Sequence, residues 1–413
     1  MDTTVLFKAA LGLNAPWYVE DIDFRKSDDG QMELHITLNF YKGSTFLCPI
    51  DGCHEESTAY DTTDHTWRHM NFFQYRTYIH APQPRTKCKN HGVHVVSVPW
   101  ARTGSGFTLL FEAFVLELAK TQAMLNVADQ VGEHDTRLWR FVKKYVGEAR
   151  ELENYSEVSA LGMDETSKKG HNYMTVMVDL EEKKVIYATE GKDNTTVDKF
   201  VDDFKAHSGN ADNIKIITCD MSLGFRKGIN NNFPNATTVI DKFHVIKHAN
   251  EAVDAVRKEE VKTNPLLKKT KYIWLKNSDN LTEKQSEKKE RLSKKRLKTG
   301  RAYSMRVTLQ DIYETSSNRS EAEPQMKKLY SWLMKSRLEP MRKFAGLLKE
   351  HWKEILNYFE YRYTNAILEG MNSIIQNIKC RARGFKNDEY FKTMIYLVCG
   401  KLKIDEVIAS YQV

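Results

Sequence analysis

An α/β multidomain fold is predicted by three features of these 413 residues. Two short Cys/His pairs bracket strand-forming sequence near the N-terminus. Two amphipathic helices separated by a glycine follow. After them an alternating strand and helix pattern is interrupted by a long basic stretch with helical character. A chain of this length exceeds what one hydrophobic core usually organises, so two to four domains are expected. Its 41% hydrophobic and 11% aromatic content is too apolar for a chain that stays disordered as a whole. With 62 Lys and Arg against 55 Asp and Glu, the net charge of +7 suits a polyanionic partner without requiring one. The segment MDTTVLFKAALGL lacks a basic region leading into a long apolar stretch, and no later run reaches about 18 apolar residues. Neither secretion nor membrane insertion is expected, and a cytoplasmic placement follows. Cys219, Cys380 and Cys399 stand isolated, unlike the dense disulfide framework of a secreted protein.

The other three cysteines form the first pattern. Cys48 and Cys53 lie in LCPIDGCH, and Cys88 opens CKNHG, which contains His91. Three thiolates and an imidazole suit the tetrahedral preference of zinc, each pair coming from a short turn as in a zinc ribbon. The 34 intervening residues would form the ribbon's strands, with TWRHMNFFQYRTYIHAP read as two strands around a turn at His69 to Asn71. His54 and His94 are rival ligands, and two unrelated cysteine pairs are the plainer alternative.

From Gly106 the periodicity becomes helical, with Phe107, Leu110, Phe111, Phe114, Val115 and Leu118 on one expected face. MLNVADQVG and EHDTRLWRFVKKYVGEAR then read as a short helix, a break at Gly132 and a longer helix bearing Arg137, Arg140, Lys143 and Lys144. That spacing looks like a helix-turn-helix whose second helix would enter a major groove. A plain helical hairpin would have the same pattern.

Next come strand-like SALGMDETS, NYMTVMVDL and KVIYATEG, a helix in TTVDKFVDDFKAHS, the strand IKIITCD, a second helix, and the strand TTVIDKFHVI. The order resembles an RNase H-like core, in which the first and fourth strands are neighbours, so Asp164 and Asp220 could meet. Two acids abutting apolar strands are costly to desolvate and repel each other, which a divalent metal would resolve. A third acid, Glu369, lies on an amphipathic helix whose apolar side includes Ile367, Met371, Ile374 and Ile378, and is expected to face the aspartates. Each acid alone could equally be a strand-end or surface carboxylate.

The stretches GMDETSKKGHNYMTVMVDL, TCDMSLGF, FPNATTVIDKFHVIKHANEAVDAVR and RYTNAILEGMNSIIQNIKCRARGF together closely resemble the ISL3 family of insertion-sequence transposases, over most of the chain. The resemblance implies that the catalytic acids of a DDE-type DNA transposase fall on Asp164, Asp220 and Glu369. It further implies Mg2+ or Mn2+ at that triad and Zn2+ at the ribbon. It places Asp241 and His244 of DKFH near the site, although a buried hydrogen-bonded pair explains them as well. One departure is the ribbon itself, where family members commonly carry two C-x2-C pairs.

The 149 positions from Asp220 to Glu369 exceed what such a core needs, so a helical insertion is expected at 257–345. Lys284 to Arg306 carries ten basic residues against two acidic, a density suited to phosphate contacts or merely to a solvated face. Lys379, Arg381, Arg383 and Lys386 could steer a DNA strand, or simply stabilise a helix C-terminus. The expected organisation is a zinc-ribbon region at 1–105, the helix-turn-helix at 106–150, the core at 158–256 and 346–413, and the insertion between. The implied partners are double-stranded transposon ends and target DNA, with a homodimer on paired ends at the bacterial nucleoid. A non-catalytic regulator and a nuclease without strand transfer are the competing functions.

Overall fold

The computed structural model describes residues 3–28, 30–169, 172–191, 193–363 and 366–411. They group into two compact units, one comprising Met1–Glu153 with Asn377–Val413 and the other Asn154–Gln376. Residues 170–171 and 364–365, inside two of the quoted motifs, lie outside the described residues.

The first unit opens with an exposed helix, α1 (Thr3–Ala10), and six strands: β1 (Trp17–Lys26), β2 (Met32–Phe40), β3 (Thr45–Leu47), β4 (Glu56–Phe72), β5 (Tyr75–Cys88) and β6 (Gly92–Val95). They form one sheet in the order β1-β2-β5-β4-β3, with β6 also on β5. Alternate residues Leu34, Ile36 and Leu38 of β2 point inward, as the two-residue period of a half-buried strand requires, onto Trp17, Trp67, Ile79 and Trp100. The β4–β5 turn falls later than expected. Phe72 pairs with Tyr75, leaving Phe73 and Gln74 as a two-residue loop with Phe73 at φ 52°. His69 instead stays in the ladder opposite Thr77, where its Nδ1 lies 2.9 Å from Thr108 Oγ1.

Three helices follow: α2 (Leu109–Thr121), α3 (Met124–Val131) and α4 (Asp135–Glu151). Thr108 caps α2 by accepting from the Phe111 amide. The buried face of α2 differs from the apolar stripe expected from sequence: Phe107, Phe111 and Val115 are inside, but Leu110 and Phe114 are exposed. The helix is rotated toward Glu112, which is fully buried because it pairs with Arg102 and accepts from Ser105 and Tyr145. The glycine break holds: Gly132 ends α3 in the left-handed conformation, with φ 69°, so the backbone favours glycine there.

The second unit begins with β7 (Ala160–Lys169), β8 (Asn172–Asp179) and β9 (Lys184–Glu190), then α5 (Asn194–Ala206), β10 (Ile216–Cys219), α6 (Leu223–Asn232) and β11 (Thr237–Ile240). The sheet order is β11-β10-β7-β8-β9. β7, β8 and β9 are antiparallel, whereas β10 is parallel to β7 and β11 to β10. The first and fourth strands are therefore neighbours, as expected. Leu161, Met163, Ile217 and Cys219 join Phe200, Phe204 and Phe225 of α5 and α6 in one core.

The helices that follow are α7 (Lys242–Val261), α8 (Lys271–Leu275), α9 (Glu283–Ser293), α10 (Lys298–Thr315), α11 (Arg319–Lys335), α12 (Glu339–Glu350), α13 (Trp352–Tyr361) and α14 (Ala366–Arg381). Residues 257–345 are thus helical, with α10 and α12 packed on α7, while α13 packs on β11. The chain after Asn377 groups with the first unit, so the expected second core segment, 346–413, is divided. There α15 (Asp388–Cys399) and α16 (Ile404–Ser410) pack on α4. Tyr390 stacks on Trp139 with ring centres 4.2 Å apart, and the Tyr411 hydroxyl donates to the Glu148 carboxylate at 2.7 Å.

Candidate active site

The register of the parallel pair β7–β10 matches Ile216 with Ala160, Ile217 with Leu161 and Thr218 with Gly162. Asp220 directly follows β10, and its charge reaches Asp164 on β7. Asp220 Oδ1 accepts from the Ser222 amide at 2.8 Å, which turns the chain from β10 into α6. Asp164 accepts from the Glu165 amide at 2.8 Å, yet its carboxyl is pushed up to about 6, first by burial and then by the Asp220 charge. Two acids of one sign on or beside adjacent strands cannot both ionise cheaply without a cation.

The helix α14 lies along β7. Gly162 has no room for a side chain, since a Cβ would meet Leu368 Cδ2 at 2.8 Å. Two residues along the strand, Asp164 Oδ2 accepts from Asn372 Nδ2 at 2.6 Å. Two further on, Thr166 Oγ1 accepts from Gln376. Strand positions 162, 164 and 166 thus meet helix positions 368, 372 and 376. The buried apolar residues of α14 are Leu368, Ile375 and Ile378; of the expected stripe Ile378 is buried, Ile367 and Met371 are partly buried, and Ile374 is exposed. Glu369 is about 60° round the helix from Asn372, as three residues at 100° each dictate. It is exposed and lines a cavity with Asp241, Phe243, Asn250 and Tyr313. Asn372 is thus the α14 side chain in contact with Asp164.

Asn372 Oδ1 is buried with no hydrogen-bond partner among the described residues. An orphaned acceptor on the side chain that holds the Asp164 carboxylate needs a cation or water, so the donor chemistry fits a divalent metal. On α7, Lys247 is close enough to favour the charged form of Asp164. His244 is held below the ordinary imidazole range by burial, against the opposing pull of Asp220 and Asp241. Asn372 and Lys247 went unremarked in the sequence. Each lies three residues beyond a residue that had been singled out, Glu369 and His244, which on a helix is a neighbouring position.

In the first unit, Cys48, Cys53, Cys88 and His91 offer ligand atoms all within 4.8 Å of one another. Cys53 and Cys88 Sγ are 3.8 Å apart, while His91 Nδ1 is 3.7 Å from Cys48 Sγ and 3.5 Å from Cys88 Sγ. Tetrahedral zinc with bonds of about 2.3 Å to sulfur and about 2.0 Å to nitrogen gives edges of roughly 3.5–3.8 Å, so the four atoms fit zinc. His94 is turned away, its Nε2 2.7 Å from the His91 carbonyl. His54 is outside the cluster.

The basic residues singled out for DNA meet different fates. Arg140 and Lys143 are exposed on α4. Arg137 stacks 4.5 Å over Phe107 and pairs with Glu133, and Lys144 pairs with Glu148 at 2.5 Å. Arg381 donates to the Lys120 carbonyl at 2.9 Å, bracing the end of α2, while Arg383 is exposed and Lys379 partly buried.

Residues 44–91 match the zinc-finger of transposase IS204/IS1001/IS1096/IS1165, and residues 96–146 the helix-turn-helix domain of transposase family ISL3. Residues 161–395 match the transposase domain of that family. A zinc ribbon, a DNA-binding helix-turn-helix and this catalytic domain in series define a DNA-processing enzyme of the transposase class. The chain belongs to the ISL3 family of transposases. It is 25% identical to the transposase for insertion sequence element IS1557 of Mycobacterium tuberculosis, over 93% of each chain. It is 26% identical to the transposase for insertion sequence element IS1001 of Bordetella parapertussis, over 86% of this chain and 90% of that one. Among the described residues no helix is long and apolar enough to cross a membrane.

Proposed function

We propose that this transposase binds the terminal inverted repeats of an insertion sequence and cuts and joins DNA through Asp164, Asp220 and Glu369, as a DDE-type enzyme with an RNase H-like core. The observation that supports the proposal is the parallel pairing of β10 beside β7, with burial and the nearby Asp220 charge leaving Asp164 protonated more readily than an ordinary carboxyl. Magnesium or manganese held by the three acids would neutralise them and activate oxygen nucleophiles for phosphoryl transfer. The chain's own residues do the rest. Asn372 fixes the Asp164 carboxylate, and Lys247 adds positive charge beside it.

Cys48, Cys53, Cys88 and His91 would hold zinc and keep the ends of β3 and β5 together. Exposed Arg140 and Lys143, with Arg383 and the basic α9–α10 region, would contact phosphates. Arg137, Lys144, Lys379 and Arg381 would assist from within the first unit, beside Arg140, Lys143 and Arg383 of that unit. Paired transposon ends favour a homodimer on DNA, and a cytoplasmic, nucleoid-associated location follows from that substrate.

The test is strand cleavage and joining of labelled terminal-repeat DNA by the purified protein with magnesium. Asp164→Asn, Asp220→Asn and Glu369→Gln are each expected to lose at least 10³-fold in cleavage while still shifting the DNA, a size comparable to loss of a key electrostatic group. Cleavage that survives Asp164→Asn overturns the triad. Binding without nicking by the unaltered chain would instead indicate a regulator, and cleavage without joined product a nuclease.

A further inference from the structure

The second unit contains a cavity of about 670 Å³ lined by residues of α7, α8, α10 and the first turn of α14, with Glu369 on its wall. Its polar lining is ordered by one buried cation. Arg306 is 3% exposed, and it donates from Nε to Asn250 Oδ1 at 3.0 Å. Its other nitrogens donate to Gln310 Oε1 at 2.8 Å, Asn277 Oδ1 at 2.9 Å and the Leu275 carbonyl at 3.1 Å. A guanidinium only donates, so the atom each amide turns toward it must be oxygen. The NH2 groups of Asn250 and Asn277 are therefore forced to point away from Arg306. Both residues line the cavity, and the arrangement leaves a pair of fixed donors for a ligand.

Two further features define what that ligand is. Phe243 is 50% exposed on the cavity wall, a ring face with room for stacking. Tyr313, 3% exposed, also lines the cavity, and its hydroxyl is buried with no hydrogen-bond partner among the described residues. The lining charges balance, Asp241, Glu314 and Glu369 against Lys242, Lys276 and Arg306. A net-neutral wall does not select a free phosphate or a bare cation. It suits a flat, neutral group with acceptors on its edge and an aromatic face, and the volume is within the usual range for small-molecule sites.

We infer that the cavity receives a single nucleobase turned out of the DNA duplex next to the position being cut. Amide donors of Asn250 and Asn277 bond its edge, and Phe243 stacks on its face. The inference rests on the proposed role of Glu369, because that residue places the cavity beside the reacting phosphate. Enzymes that extrude a base hold it in this way, by edge hydrogen bonds and aromatic contact.

The test uses the full-length protein and terminal-repeat duplexes, each with one 2-aminopurine at a successive position around the cleavage site, in magnesium-free buffer so that nothing is cut. Unstacking is expected to brighten one position, or two adjacent ones, several-fold and no others. Asn277→Leu should reduce that brightening at least threefold while the gel-shift Kd stays within twofold. Phe243→Ala, at an exposed ring whose loss leaves the buried core intact, should do the same. No brightening at any position, or brightening that both variants retain, overturns the pocket. Adding magnesium separates this from the catalytic reading. Cleavage without prior brightening removes the pocket alone, whereas brightening without cleavage leaves the pocket and removes the assigned chemistry.

Discussion

The side-chain amide of Asn372 donates to Oδ2 of Asp164 at 2.6 Å, the central rung of a three-rung match between α14 and β7. Four helical residues advance about 6 Å and two strand residues about 6.6 Å, so contacts spaced by four on the helix and by two on the strand stay in phase over this distance. Gly162 opposite Leu368 and Thr166 opposite Gln376 complete it. The match fixes which way Asp164 points.

Asn372→Ala is therefore expected to lower magnesium-dependent cleavage by about 10- to 100-fold, the usual effect of removing a group that orients a metal ligand. The magnesium concentration for half-maximal activity should rise as well, whereas terminal-repeat binding in a gel shift stays unchanged. A purely structural role would lower the thermal midpoint and leave the magnesium dependence alone. Gly162→Ala should be worse in both respects, because its Cβ would drive Leu368, and the helix with it, off the strand.

Much of this arrangement is legible in the sequence. The apolar run before Asp220 marks the end of β10, whereas β7 runs on past Asp164 to Lys169; the strand and helix order gives the adjacency of the two strands. The facing of α14 is not legible, because Ile367, Leu368, Met371, Ile374, Ile375 and Ile378 form one stripe about 120° wide, whereas the helix turns the edge of that stripe, with Asn372 and Gln376 beside it, toward β7. Its true register is set by a missing side chain, Gly162, some 200 positions away. The rotation of α2 is hidden for a related reason. A glutamate at position 112 reads as solvent-facing until Arg102 and Tyr145 are seen to meet it. The return of α15 and α16 to α4 depends on long-range aromatic contacts such as Trp139 with Tyr390, for which local periodicity has no signal.

The raised Asp164 carboxyl makes stability depend on pH when magnesium is absent. A carboxyl at about 6 in the folded chain and near 3.9 unfolded binds more protons when folded between those values. Stability is then highest below about pH 4, falls as pH rises to 6, and stays reduced above it, by up to about 3 kcal/mol. Asp164→Asn should accordingly melt at a higher temperature than the unaltered protein at pH 7.5 in magnesium-free buffer, and the difference should shrink at pH 4.5. Magnesium should raise the midpoint of the unaltered protein only. Equal midpoints at both pH values would show that the Asp164 charge is not held at a cost.

One zinc per chain is expected from Cys48, Cys53, Cys88 and His91, measurable by metal analysis of protein purified without added metal. Cys53→Ser and His91→Ala should each lower the content well below one and loosen the sheet end, seen as faster proteolysis between β3 and β6. His54→Ala and His94→Ala should leave both measurements unchanged, since neither imidazole belongs to the cluster. If His94→Ala alone released the metal, the fourth ligand would have to be reassigned.

Glu112 should prove one of the most sensitive positions for stability outside the catalytic unit. It is completely buried, paired with Arg102 at 2.9 Å, and accepts from Ser105 and Tyr145 at 2.7 Å each. Removing one member of a buried pair leaves the other charge uncompensated, so Glu112→Ala should cost about 3–5 kcal/mol. Tyr145→Phe removes a single donor and should cost about 1–1.5 kcal/mol. Because both act through one carboxylate, the double variant should be less destabilised than the sum of the two. Additivity, measured by urea unfolding of the three proteins, would show that Tyr145 and Glu112 do not share the network that fixes α2 against α4 and so presents Arg140 and Lys143 at the surface.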